Sequence, residues 1–169
     1  MDRRSFVKSA MYFTVASAST TLIACGGGNG ANVASGPSGS FKFTHGVASG
    51  DPKATSVVFW TRCVRSDGQD TTDFGLRLEV SPTADFAALV ANVSVTASTT
   101  YDNTVRAKVT NLSANTRYFY RFVAGSDVSA VGQTKTAPAA TTTPDEVRFA
   151  WVTCQDWSVN HWAAMELLA

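Results

Sequence analysis

Between residues 41 and 138 apolar side chains recur at every second position, a period that suits a half-buried strand and is wrong for an amphipathic helix. Residues 75–81 alternate Leu76, Leu78 and Val80 against Arg77 and Glu79, and residues 104–109 alternate Val105, Ala107 and Val109 against Arg106 and Lys108. Residues 90–96 put Val93 and Val95 on one face, and residues 116–123 set Tyr118, Tyr120 and Phe122 against Arg117 and Arg121. A weaker strand is expected around Val131, and a helical turn over residues 84–89, started by Ser81-Pro82-Thr83. Six or so short strands separated by polar turns within roughly a hundred residues argue for a mainly β domain, an antiparallel sandwich.

Residues 43–62 contain the most distinctive wording of that domain. Gly50-Asp51-Pro52 joins a residue free to take positive φ, an acceptor side chain and a fixed φ, and the β-branched and aromatic run from Ser56 to Trp60 comes next. This reads as a turn feeding a strand.

Composition excludes some functions. The 169 residues are 44% hydrophobic and 16% charged, with a net charge of +1. Beyond the N-terminal tip there is no basic run, so the electrostatic footprint of a nucleic-acid binder is missing. Cys25, Cys63 and Cys154 are odd in number and far apart, which excludes a disulfide scaffold.

The N-terminus reads as a signal. Arg3 and Arg4 precede a weakly apolar run from Ser9 to Ala24, too short and too polar to span a bilayer. Arg3, Arg4, Phe6 and Lys8 resemble the twin-arginine export motif, which implies the twin-arginine translocase as a partner. Leu22-Ile23-Ala24-Cys25 resembles a bacterial lipobox, which would make Cys25 the lipidated first residue of an anchored protein; cleavage after Ala16-Ser17-Ala18 would instead leave a soluble one. Residues 1–25 are therefore expected to be a signal peptide, and the Gly-, Asn-, Ser- and Pro-rich residues 26–40 a flexible tether. The expected destination is the periplasm or cell envelope.

Within the sandwich, Leu112 lies six residues before Tyr118, the spacing of a tyrosine corner, in which the hydroxyl bonds back to upstream backbone. This resembles the fibronectin type III version, with Ala114 where proline is usual. His45 has no metal-ligating neighbour at short spacing and is expected to hydrogen-bond locally in the turn. Cys63 is expected to be a small buried hydrophobe. A Cys63–Cys154 bridge would have to cross between domains and is not expected.

Residues 139–146 read as a second linker. Beyond it, residues 147–153 are nearly continuously apolar, as in a strand buried on both faces, and residues 159–169 place Trp162, Met165 and Leu168 at helical spacing with Ser158 as N-cap. This is expected to be the first β-α step of a different, α/β domain, with Cys154 in the turn past the strand, where open α/β sheets place their sites.

Two stretches together carry a resemblance to a known family. His45-Gly-Val-Ala-Ser-Gly-Asp-Pro52 followed by Trp60-Thr-Arg62 is similar to the N-terminal domain of the alkaline phosphatase D (PhoD) family, and Arg148-Phe-Ala-Trp-Val-Thr-Cys-Gln155 to the opening strand of its catalytic domain. The resemblance implies a PhoD-like N-terminal sandwich at residues 41–138 and the truncated start of a metallophosphatase domain at 147–169. It implies a phosphate-ester substrate, an iron(III) ion beside calcium, and Cys154 as an iron ligand. A single thiolate cannot hold such a cluster, so the chain alone is expected to bind neither metal and to be inactive, a fragment or truncated form of an exported phosphatase or phosphodiesterase. The alternative is a lipid-anchored, fibronectin-like binding module of the envelope without catalysis.

Overall fold

The computed structural model describes residues 37–146, 148–153 and 158. Among them the chain forms β1 (Phe41–Gly50), β2 (Val57–Arg65), β3 (Phe74–Ser81), β4 (Ala91–Ala97), a 3-10 turn (Thr99–Tyr101), β5 (Thr104–Val109), β6 (Arg117–Ala124), β7 (Asp127–Val128) and β8 (Gly132–Lys135). Two antiparallel sheets result. One runs β1-β2-β5; the other runs β4-β3-β6-β7, with β8 also on β6. This is the strand order of a fibronectin type III-like sandwich.

Alternation explains how the sheets meet. Val57, Phe59, Thr61 and Cys63 of β2 and Val105, Ala107 and Val109 of β5 turn inward, against Leu76, Leu78 and Val80 of β3 and Tyr118, Tyr120 and Phe122 of β6. The Phe59 and Tyr120 rings lie 4.7 Å apart across the core. Burying a side chain of this size contributes about 1.5–3 kcal/mol, so this layer is the main source of stability.

The tyrosine corner forms. The Tyr118 hydroxyl accepts a hydrogen bond of 2.9 Å from the Ser113 N–H, and Leu112 and Tyr118 are both buried. Thr136, just past β8, completes the lock: its hydroxyl donates to the Ser113 carbonyl at 2.6 Å and accepts from the Thr116 N–H at 2.9 Å.

Elsewhere the structure departs from the sequence reading. Residues 44–50 belong to a strand, β1, rather than to a turn alone. The expected helical turn over residues 84–89 is absent, because local polar groups satisfy the backbone instead: Ser81 Oγ accepts from Thr83 N–H at 3.1 Å, and Asp85 Oδ1 from Ala87 N–H at 3.1 Å. Phe86, at φ 57°, lays its ring 4.1 Å from the Arg121 guanidinium, which in turn bonds buried Glu79 at 2.8 Å. The weak strand is displaced from Val131 to β8, because Ser129 Oγ takes the Phe122 N–H at 2.9 Å where a ladder bond would otherwise stand.

Residues 148–153, expected as a buried strand opening a second unit, form no strand; Phe149 and Trp151 are 78% and 77% exposed, their rings stacked 5.8 Å apart. An apolar run becomes a strand only where neighbouring strands supply a ladder of hydrogen bonds, and residues 148–153 join no ladder among the described strands. The expected helix over 159–169 lies outside the described residues.

Gly132 stands opposite Tyr120 in the β6–β8 ladder, and a Cβ there would lie 2.3 Å from the tyrosine ring. Gly132→Val is expected to lower unfolding stability by about 1–3 kcal/mol, read by urea denaturation. Tyr118→Phe, which strands the Ser113 N–H, is expected to cost about 1–2 kcal/mol by the same measurement.

Candidate functional site

The distinctive residues 43–62 gather at two places. The first is a bulge in β1. Pairing advances four steps along β1, from Phe43 to Val47, against two along β2, from Cys63 to Thr61. The surplus is absorbed at Thr44-His45-Gly46, with Gly46 at φ 64° and its carbonyl held by the buried Thr61 hydroxyl at 2.8 Å. Glycine takes that φ without the steric cost of a Cβ.

The bulge turns Thr44 and His45 outward, beside Arg62. Arg62 binds the Asp102 carboxylate through two nitrogens, at 3.1 and 2.8 Å, and donates to Thr44 Oγ1 at 2.9 Å. The hydrogen bonds from Arg62, chiefly, hold the Asp102 carboxyl below the usual carboxylate range. Asp102 and Asn103 both take positive φ, which lets the chain fold back onto Arg62 at the start of β5. Sequence reasoning passed over Asp102; its signal was an Asp-Asn pair, residue types that tolerate such backbone, directly before an alternating strand. His45, expected in a turn, lies inside β1 and bonds its neighbour, Nδ1 to Thr44 Oγ1 at 2.8 Å.

The second place is the Gly50-Asp51-Pro52 turn. Lys53 N–H donates to the Ser56 carbonyl at 2.8 Å, and the Lys53 carbonyl accepts from the Ala137 N–H at 3.1 Å. The Thr55 carbonyl accepts from Leu112 N–H at 3.1 Å, and the Ala137 carbonyl from Asn115 N–H at 2.9 Å. Lys53 and Thr55, directly after the turn, thus hold Ala137 and the tyrosine-corner loop.

Chemically, neither place resembles a reaction centre. Burial pushes the Cys63 thiol up to about 12, with smaller contributions from the charges of Asp70 and Asp127, so the thiol is inert, as expected of a buried hydrophobe. Burial also raises the Tyr120 hydroxyl, against a hydrogen bond with Ser49. Among the described residues no three His, Cys, Asp or Glu side chains converge on a point that could hold a metal. Cys154, Cys25 and the export residues Arg3, Arg4, Phe6 and Lys8 lie outside the described residues. No helix among the described residues is long and apolar enough to cross a membrane.

Comparison with known proteins agrees with the architecture. A family model described as "PhoD-like phosphatase, N-terminal domain" matches residues 30–138. Alkaline phosphatase D of Bacillus subtilis (strain 168) is 32% identical over 172 residues, an alignment covering 99% of this chain and 29% of that protein. A solved structure of PhoD is 35% identical with a TM-score of 0.57, over 60% of this chain and 20% of that one. The chain thus spans under a third of the length of the curated relative it matches.

Native Cys63 is expected to resist iodoacetamide at pH 8 and to react fully in denaturant, as read by peptide mapping. Labelling of the native protein at Cys63 would contradict the buried, protonated thiol.

Proposed function

The chain belongs to the PhoD-like phosphatase family through its N-terminal domain, and from that premise we propose that it is the exported N-terminal portion of a metal-dependent phosphatase or phosphodiesterase. The observation that carries this reading is the match of residues 30–138 to the PhoD-like N-terminal domain, at whose end the Ala137 N–H is held by the Lys53 carbonyl. Lys53, directly after the Gly50-Asp51-Pro52 turn, thereby holds the segment from which residues 138 onward depart.

In this reading the sandwich is a mount. Arg3, Arg4, Phe6 and Lys8 direct export through the twin-arginine translocase, Cys25 carries the lipid that tethers the mature protein at the envelope membrane, and residues 26–40 give reach. Cys154 is the one thiolate this chain adds toward an iron(III) and calcium site that acts on phosphate esters; bound metals there would stabilise charge on the phosphoryl group. The exposure of Phe149 and Trp151 favours this over a free-standing binding module, in which the same residues would pack on the sandwich.

A chimera tests the reading. This chain replaces the aligned N-terminal 29% of the Bacillus subtilis relative. The folded chimera, supplied with iron and calcium, is expected to hydrolyse bis-(p-nitrophenyl) phosphate, and Cys154→Ser to lower that rate at least ~100-fold. A folded, metal-loaded chimera without turnover would overturn the proposal. The 169-residue chain by itself is expected to give none.

A further inference from the structure

Strands at a sheet margin invite further strands, and folded proteins block them with charge, bulges, proline or brevity. Three of the margins here are blocked. β1 carries Lys42 and the bulge at Thr44-His45-Gly46. β5 carries Arg106 and Lys108. On the far side of β6, β7 is two residues long and includes Asp127, and β8 is four residues long and ends in Lys135.

β4 has none of these devices. It is seven residues, Ala-Asn-Val-Ser-Val-Thr-Ala, without charge, glycine or proline, and its register with β3 runs unbroken from Phe74↔Ala97 to Val80↔Ala91. From residue 86 to residue 101 the chain carries no charged side chain. Among the described residues β4 pairs with β3 alone, so no described strand takes the hydrogen-bonding groups of its other edge.

The strand also matches itself. Read outward from Ser94 in either direction it gives valine, then Asn92 or Thr96, then alanine. Two copies run antiparallel about Ser94 would set Val93 against Val95, Asn92 against Thr96, Ala91 against Ala97, and Ser94 against its own counterpart. Val93 and Val95 are partly buried and packed on the core, whereas Asn92, Ser94 and Thr96 are exposed. Apolar would therefore meet apolar on the inner face, and polar would meet polar on the outer.

We infer that β4 is a pairing edge for a second copy of this chain, joining two sandwiches antiparallel about Ser94 into one continuous sheet. The occupant is a second copy because β4, run antiparallel about Ser94, complements itself on both faces. A contact that uses the same patch on both partners closes after two subunits, so the product is a dimer rather than a fibre. This goes beyond the phosphatase reading and stands or falls separately from it.

Ser94 is exposed, so replacing it changes the partner face without disturbing the core. By analytical ultracentrifugation the 169-residue chain is expected to dimerise reversibly. Ser94→Lys and Ser94→Glu, each placing like charges across the axis, are expected to weaken self-association at least ~10-fold while circular dichroism and melting stay native. An equimolar mixture of the two variants is expected to regain dimer, because lysine then faces glutamate. A wild-type chain that is monomeric at ~100 µM, a dimer indifferent to both variants, or a mixture that fails to recover would each overturn the inference.

Discussion

The crossing from β5 to β6 is the constraint on which the sandwich depends. There the chain leaves one sheet for the other, so the backbone groups of residues 110–116 cannot be satisfied by either ladder and must find partners elsewhere. Leu112 N–H goes to Thr55, Ser113 N–H to the Tyr118 hydroxyl, and Asn115 N–H to Ala137, while Thr136 serves Ser113 and Thr116 together. Asn111 and Asn115 take positive φ to let the loop turn. Because these partners come from the β1–β2 turn, from β6 and from the segment after β8, one loop fixes both sheets relative to each other. The Phe59–Tyr120 contact in the core is a consequence of that placement.

The most recognisable run in the chain is, by the same logic, architectural. Gly46 and Thr61 make the bulge, Gly50-Asp51-Pro52 makes the turn, and Arg62 pins Thr44 on β1 to Asp102 ahead of β5. Among the described residues, His45 bonds its neighbour Thr44 and the Cys63 thiol is buried and pushed up. What these residues supply is a defined path for β1, β2 and the chain entering β5. A distinctive motif and a catalytic motif differ in this respect: the first needs only that its backbone demands be rare.

Much of this was legible in the sequence, for a physical reason. β3, β4, β5 and β6 each bury one face, so alternation marks them, and their observed ends fall within a residue or so of the alternating runs. The tyrosine corner was visible because Leu112 and Tyr118 belong to one local loop. β1 was missed because the bulge inserts residues that break its alternation. The segment 84–89 misled because the Ser81 and Asp85 side chains satisfy backbone groups that a helix would otherwise satisfy itself, and Phe86 gains a cation for its ring. The Arg62–Asp102 pair joins residues 40 apart, and nothing local announces such a contact.

Residues 148–153 show the limit of pattern reading most clearly. Their apolar run states a demand for cover on both faces, but a strand is a relation between chains of hydrogen bonds, and the demand does not supply the partner. The sandwich cannot meet it, since Phe59, Leu78, Val80 and Phe122 already close its inner faces at full burial. Phe149 and Trp151 consequently stack on each other in solvent, a contact too small to hide two aromatic rings. The surface they leave exposed supports the proposed reading of the sandwich as a mount over that of a module working alone.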